Sequence, residues 1–275
     1  MTKFRYKKAV PPPISPETTL DNAKRWLNIV RFGESGTVIQ LQDDCEYRVL
    51  EVINNPVILK NIFGPYHRKY LLKYVPIDQK DLQKVIKDVL IEICVERKIA
   101  TKGILSEMTN NEILKEIADK GYDVGLFISH IKSLLVKSNF QPLIDLELLI
   151  RTSKNLSVVV FSEIDITHGK YNFLVDKCSF LYDHIIKYPL YDESDSRQFI
   201  SHYNHLWDFS LPDRTIKEII TACGGYLWLI HQAHRKLRDN PEMTINQSLT
   251  DELLVKKLEI VWNKFTKEEQ SILRK

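Results

Sequence analysis

The sequence predicts an α/β fold, a doubly wound parallel sheet followed by an all-helical region. Two apolar runs, VGLFI at 124–128 and LSVVVF at 156–161, are typical of strands that are buried on both faces of a parallel sheet. Strand-like and helix-like segments alternate between residues 37 and 188, which is the pattern of an α/β sheet. From residue 192 onward only helical periodicity is found, so the sheet precedes a helical region.

A proline-rich segment leads into the sheet region. Pro11, Pro12, Pro13 and Pro16 remove backbone donors and favour an extended path, which predicts a strap across the surface. Short β-branched or apolar runs predict strands at 37–41, 70–75, 124–128, 156–161 and 185–188. Apolar residues that recur at steps of three and four predict helices at 20–32, 47–54, 82–97, 110–120 and 142–152.

The remainder of the chain is predicted to be helical throughout. Its helical periods lie at 195–206, 212–223, 227–239 and 251–264, and a further helix starts at Thr266. The TKEE sequence at Thr266 has the form of a capping box. We therefore expect a core at 1–188, a helical subdomain at 189–260 and the beginning of another domain at 261–275.

Composition and charge exclude several classes of function. Lys and Arg number 39 against 36 Asp and Glu, so the net charge of +3 gives no overall electrostatic signature for nucleic acid or anionic membrane. No run approaches the roughly twenty apolar residues that a membrane span needs, so no membrane association is expected. The four cysteines are dispersed without a CxxC spacing, which is typical of reduced thiols in a cytoplasmic protein.

Four segments of the sequence resemble one family. They are PPPISPE at 11–17, VVVFSEIDI at 158–166, CGGYLWLIHQAHRKLRDNP at 223–241 and VWNKFTKEEQSILRK at 261–275. In their order and pattern they resemble the proline-rich lead-in, the sensor-1 strand, the lid helix and the winged-helix start of AAA+ and STAND-type P-loop ATPases. The resemblance implies a nucleotide-binding sheet, a helical lid at 189–260 and a winged helix that begins at 261–275.

The resemblance also implies a phosphate-binding loop between the first strand and the next helix. Such a loop needs the pattern GxxxxGK[ST], because its backbone amides hold the phosphates, its lysine reaches the terminal phosphates and its hydroxyl binds Mg²⁺. The chain has no glycine or lysine there, and it has three carboxylates. The residues at this degenerate Walker A position are Gln42, Asp43, Asp44, Cys45, Glu46, Tyr47 and Arg48.

Two further motifs of the family are altered as well. The Walker B strand at 124–128 should be followed by an aspartate and a glutamate, but Ser129 and His130 stand there. Ser162 fits the polar sensor-1 position at the end of the next strand. The lid motif GG-x-P keeps its two glycines, Gly224 and Gly225, and has Leu227 in place of proline. Three nucleotide contacts are thus altered together.

These departures lead to one main hypothesis and two alternatives. The main hypothesis is an ATPase fold that has lost catalysis, binds no cofactor, and acts in regulation or assembly through a protein partner, either an active relative or a further C-terminal domain. The first alternative is a divergent ATPase or switch that binds ATP or ADP with Mg²⁺ through Gly33, Gly36, Glu163 and Asp165.

The second alternative is a DNA-binding protein of the origin-recognition kind. It would use the basic group HRKLR at 234–238 on the lid, although such charge more often serves only to solvate a helix. The same helix contains the pair His231 and His234, and the pair His202 and His205 precedes it. Each pair lacks the third ligand that zinc usually requires, so no metal site is predicted.

Overall fold

The computed structural model describes residues 16–39, 45–77, 81–136, 138–162, 164–188 and 190–250, with single positions at 255, 259, 262, 270 and 271. Contacts between residues divide the chain into two compact units. The first contains Pro16–Tyr188 and the second contains the residues from Pro189 onward. Across the described ranges, none of the helices combines the length and the apolar character needed to cross a membrane.

The first unit contains a sheet of five parallel strands, which confirms the predicted fold class. The strands are β1 (Gly36–Ile39), β2 (Tyr70–Pro76), β3 (Asp123–Ser129), β4 (Leu156–Ser162) and β5 (Ile185–Lys187). Their order across the sheet is β2-β3-β4-β1-β5, so β2 and β5 are the two edge strands. All five predicted strands are present, and residues 40 and 41 of the first prediction lie outside the described residues.

Twelve α-helices are found in the described ranges. They are α1 (Pro16–Arg31), α2 (Cys45–Ile53), α3 (Pro56–Phe63), α4 (Leu82–Glu96), α5 (Lys102–Glu107), α6 (Asn110–Asp119), α7 (Gln141–Thr152), α8 (Phe180–Asp183), α9 (Glu193–Trp207), α10 (Asp213–Cys223), α11 (Leu227–Asp239) and α12 (Ile245–Ser248). Short 3₁₀ helices occur at Gly64–Lys69, Ile131–Leu134 and Gly169–Leu174.

The sheet is covered on both faces, which explains its continuous apolar strands. On one face, α1, α2 and α3 pack against Val38, Phe127 and Val159. On the other face, α4 to α8 pack against Leu126, Val158 and neighbouring strand residues. The connection that leaves β1 therefore crosses one face, whereas those that leave β2 and β3 cross the other. This change of side makes the carboxyl end of β1 the topological switch point, where open α/β sheets bind ligands.

Four helices, α3, α5, α8 and α12, were not expected from the sequence, and α1 begins at Pro16, which the prediction placed in the extended strap. The prediction ended a helix at Asn54-Asn55-Pro56, but α3 begins directly at Pro56. The Asn55 side chain accepts hydrogen bonds from the backbone amides of Val57 and Ile58, so it caps the new helix. Proline at the first helical position needs no hydrogen-bond partner for its nitrogen. The same residues that stop one helix therefore start the next.

The second unit is helical throughout its described residues, as predicted. Helices α9, α10 and α11 match the expected periods, and α11 has the predicted limits. They share a core of buried residues that includes Phe199, Ile219 and Ile230. The predicted helix at 251–264 and the capping box at Thr266 lie outside the described residues except at single positions.

Candidate functional site at the carboxyl edge of the sheet

The strand register fixes which residues meet at the carboxyl edge of the sheet. Ile39, the last described residue of β1, lies between Ser162 of β4 and Lys187 of β5. On the far side of β4, β3 ends at Ser129, which is paired with Pro76 of β2. At the switch point, Ser162 with its hydroxyl and Lys187 with its ammonium group therefore lie on the two sides of β1.

The phosphate-loop position lies directly after Ile39. Helix α2 begins at Cys45, so five residues, 40–44, connect it to β1. Gln42, Asp43 and Asp44 fall in that connection and lie outside the described residues. The other four predicted positions, Cys45, Glu46, Tyr47 and Arg48, form the first turn of α2.

The Walker B position holds a sealed hydroxyl group. Ser129 is only 1% exposed, and its Oγ lies 2.5 Å from the hydroxyl of Tyr74 on the neighbouring edge strand. The Ser129 carbonyl accepts a hydrogen bond from the backbone amide of Ile77. His130 follows with φ 60° and ψ 34°, a left-handed conformation that few residues other than glycine adopt. Ser129 thus carries no charge with which to hold a cation.

The sensor-1 position is also satisfied internally. Ser162 is 3% exposed at the end of β4. Its Oγ donates a hydrogen bond to the carbonyl of Ile164 and accepts one from the amide of the same residue. The hydroxyl therefore stabilises the end of β4, three residues before Asp165.

Asp165 is held by a lysine that the sequence analysis did not single out. The Lys187 ammonium lies 2.7 Å from its Oδ2, and Oδ1 accepts hydrogen bonds from the amide and hydroxyl of Thr167. Burial alone would raise the pKa of Asp165, but hydrogen bonds from Lys187 and Thr167 and the lysine charge lower it overall. The carboxylate is therefore ionised, and Lys187 already compensates its charge.

The glycines of the alternative nucleotide site lie elsewhere. Gly33 has φ 73° in the turn that follows α1, and Gly36 is the first residue of β1, where it pairs with Val159. Ile39 pairs with Ser162, so Gly36 is three residues, or about 10 Å, from the carboxyl edge. The structure does not bring Gly33 and Gly36 together with Asp165. Glu163, the fourth residue of that set, lies outside the described residues.

The lid motif forms a tight turn within the second unit. Gly224 has φ 57° and ends α10, and Gly225 has φ 79°. A Cβ atom at Gly225 would collide with the backbone carbonyl of Tyr191. Leu227 begins α11 and is buried in the core of the unit. The two glycines are thus required by backbone geometry, and Leu227 serves as a core residue.

The basic group of the lid does not form one charged face. His234 is 1% exposed and packs in the helical unit. The Arg238 guanidinium lies 4.3 Å from the centre of the Trp207 ring and hydrogen-bonds to Asp239. Arg235 is exposed. In the described chain, no cluster of three or more His, Cys, Asp or Glu residues could hold a metal ion.

Sequence reasoning missed the two contacts that define this edge. Lys187 could have been noticed as the charged residue near the end of the strand predicted at 185–188. The bond between Tyr74 and Ser129 needs the strand order, because 55 residues separate the two side chains. Neither pairing has a local signature in the sequence.

No family model and no curated protein sequence matches this chain. Several solved structures are similar to it in fold. A Walker-type ATPase of Pyrococcus abyssi has a TM-score of 0.52 and 13% identity, over 97% of this chain and 79% of its own. The Aeropyrum pernix ORC2 protein in ADPNP–ADP complexes has a TM-score of 0.51 and 13% identity, over 86% and 67%.

The ORC1 protein of Aeropyrum pernix, in complex with DNA, has a TM-score of 0.50 and 11% identity. The match covers 82% of this chain and 61% of that protein, so the chain spans less than two thirds of its length. At such identities the likeness concerns the fold alone. The chain has the fold of an AAA+-type P-loop ATPase, with a parallel sheet followed by a helical unit, in agreement with the resemblance found in its sequence.

Proposed function

We propose that this protein is a catalytically inactive AAA+/STAND-like module that acts in regulation or assembly through protein–protein contacts. The observation that carries the proposal is the Walker B position. There the buried hydroxyl of Ser129 is bonded to Tyr74, where an ATPase needs a carboxylate for Mg²⁺. A neutral, sealed hydroxyl neither neutralises a metal ion nor activates water.

The charges around the phosphate position support the same proposal. The sequence places Asp43, Asp44 and Glu46 between β1 and the first turn of α2, with no glycine loop or lysine. Like charges a few ångströms apart repel by about 1 kcal/mol or more even at high effective dielectric. Lys187, which is paired with Ile39 at the end of β1, already compensates Asp165. A triphosphate would meet acidic groups without an amide cradle.

A fold without catalysis retains surfaces that can dock against a partner, which is why we assign regulation or assembly. The partner class that fits is an active relative or a further domain of the same protein, including a winged helix that begins at 261–275. The dispersed cysteines support a reducing compartment such as the cytoplasm.

The first alternative, a divergent ATP-binding switch, depends on Asp165 as a metal ligand. That role would require Asp165 to give up Lys187. The second alternative is DNA binding, and it is favoured by the likeness to an ORC1 structure that contains DNA. Because His234 is buried and Arg238 is paired with Asp239, only part of the basic group at 234–238 would be available to bind DNA.

Phosphate release from MgATP tests the loss of catalysis. We expect the wild-type chain and the rebuilt Ser129→Asp/His130→Glu variant both to stay at background, because the restored acids would still lack a phosphate cradle. The variant Asp165→Asn tests the first alternative, and Asp88→Asn, at an exposed position on α4, is its matched control. A wild-type rate above background that falls in Asp165→Asn and persists in Asp88→Asn would establish the divergent ATPase instead.

A further inference from the structure

The two edges of the sheet are unequal. At one edge, β5 is only three residues long. At the other, β2 contains seven residues, and its register pairs it with β3 along its whole length. In the described chain no strand pairs with the outer side of β2. A long edge strand of this kind presents alternate backbone N–H and C=O groups to which another chain can bond.

A groove of about 630 Å³ runs along this open edge. One wall is apolar and comes from α2 and α3, with the half-buried Leu50, Ile53 and Leu59. The opposite wall comes from α4 and carries Glu92 and Glu96. The strand edge is therefore recessed between two helical layers, so it admits a single extended segment more readily than the edge of a second folded domain.

The charges in the groove are arranged along its length. The Lys73 ammonium lies 2.8 Å from Glu92 and 2.9 Å from Glu96, so it offsets one of their two negative charges. Arg68 and Arg97 have no carboxylate partner in the described part of the chain. The Arg97 guanidinium lies 5.9 Å from the centre of the Tyr122 ring.

Both arginines stand at the amino-terminal end of β2. Arg68 precedes Tyr70 by two residues, and Tyr122 directly precedes Asp123, the register partner of Tyr70. The groove thus has an end with two arginines, Arg68 and Arg97, an apolar wall and a polar wall.

We propose that this groove binds an extended segment of a partner protein as an additional strand beside β2. Side chains alternate between the two faces of a strand, so the segment has apolar residues toward α2 and α3 and polar residues toward α4. Acidic residues at one end of the segment meet Arg68 and Arg97. The inference rests on the proposed function only for the choice of a protein partner, and the binding assay below contains no nucleotide.

Fluorescence anisotropy of labelled peptides tests the inference with the full chain. The probes are two nine-residue peptides of alternating valine and serine, one with two glutamates at its amino end and one with them at its carboxyl end. The two probes cover parallel and antiparallel addition. We expect saturable binding of one of them. N-methylation of alternate backbone amides in that peptide should abolish binding, because the bonds to the strand edge need free N–H groups.

Charge reversal supplies the matched protein variants. Arg68→Glu/Arg97→Glu should weaken peptide binding at least tenfold. Arg235→Glu, which changes an exposed arginine of the helical unit, should leave peptide binding unchanged. An unchanged thermal melting curve for each variant shows that it is folded. The inference is overturned if neither peptide shows saturable binding or if N-methylation has no effect. It is also overturned if the control Arg235→Glu weakens binding as much as Arg68→Glu/Arg97→Glu does. It is overturned as well if light scattering shows a dimer whose formation blocks the peptide, because a second copy would then fill the groove.

Discussion

Among the described residues, the helical unit buries a histidine and the sheet unit does not. In the sheet unit, Thr37 donates to the carbonyl of Leu181 and Ser35 accepts from the amide of Val158, so each buried hydroxyl fixes a backbone group. In the helical unit, His234 is buried with its Nε2 2.6 Å from Asn204 Oδ1. Its Nδ1 is buried and has no hydrogen-bond partner among the described residues.

This difference teaches where the stability of the molecule depends on solution conditions. Serine and threonine hydroxyls do not titrate near neutral pH, so the contacts of Thr37 and Ser35 persist as pH changes. Histidine does titrate there, and a second proton on His234 would place a charged N–H where no acceptor is found. The helical unit is therefore expected to lose stability first as the pH falls below 6.5, whereas the sheet unit, whose Glu147 and Asp165 have lowered pKa values, loses their contribution only at lower pH.

The largest expected effect comes from two glycines, one in each unit. A Cβ at Gly36 would collide with the carbonyl of His184, and a Cβ at Gly225 with that of Tyr191. Gly225 also has φ 79°, which side chains rarely adopt. We expect Gly36→Val and Gly225→Val each to destabilise its own unit by about 3 kcal/mol or more. Hydrogen exchange followed by mass spectrometry assigns the loss to a unit.

The control for both is Gly103→Ala. Gly103 lies in α5 with open space around its Cα, and its φ is not positive, so alanine should be neutral or stabilising by about 0.5–1 kcal/mol. If Gly225→Val leaves exchange in α10 and α11 unchanged, the turn does not need glycine and the account of the lid motif is wrong.

The next effect is a selective loss of stability in acid. Burial, together with the nearby His231 and Arg238, lowers the pKa of His234 to about 4. The unfolded chain takes up its proton near pH 6.5, so stability present above that pH is lost as the pH falls toward 4. We expect the helical unit to lose about 3 kcal/mol over this window, measured by hydrogen exchange at several pH values.

Replacement of the histidine separates this effect from general acid denaturation. His234→Gln should flatten the pH dependence of the helical unit between pH 6.5 and 4, and His205→Gln, at an exposed position of α9, should not. Equal pH slopes in the wild type and His234→Gln would show that another group is responsible.

The smallest effect is expected from surface ion pairs, where the two units behave alike. Lys73 bonds to Glu92 and Glu96 in the sheet unit, and Arg197 bonds to Glu193 and Asp213 in the helical unit. Lys73→Met should cost about 0.5 kcal/mol of unfolding free energy and should cost less at high salt. Arg197→Met should shift the melting curve by a similarly small, salt-dependent amount. A large, salt-independent loss in one unit alone would break this similarity.

The sequence predicted the strands better than it predicted the site. In a chain where strands and helices alternate, a continuous apolar run such as 156–161 indicates a strand that is buried on both faces. Strands β3 and β4 were therefore predicted close to their observed limits. Helix α3 was missed because Asn55 both ends one helix and caps the next, and a local pattern of turn residues cannot distinguish these roles.

The candidate site depends on contacts between residues that are distant in sequence. The sequence itself lacks the GxxxxGK[ST] pattern, and Ser129 and His130 follow the strand at 124–128 where the resemblance predicts acids. The pairing of Asp165 with Lys187, and that of Ser129 with Tyr74, arise only when the strand order brings β5 and β2 to the two sides of the sheet. Because these contacts cannot be recognised from the sequence alone, Asp165 remained a candidate metal ligand in the sequence analysis.

Titration calorimetry of the purified chain with ATP, with and without Mg²⁺, tests the central claim most directly. The proposed loss of the nucleotide site predicts no saturable heat at millimolar ATP, because acidic residues replace the phosphate loop and no Walker B carboxylate holds the metal. A micromolar dissociation constant that weakens in Asp165→Asn but not in Asp88→Asn would contradict the claim and establish an ATP-binding switch in its place.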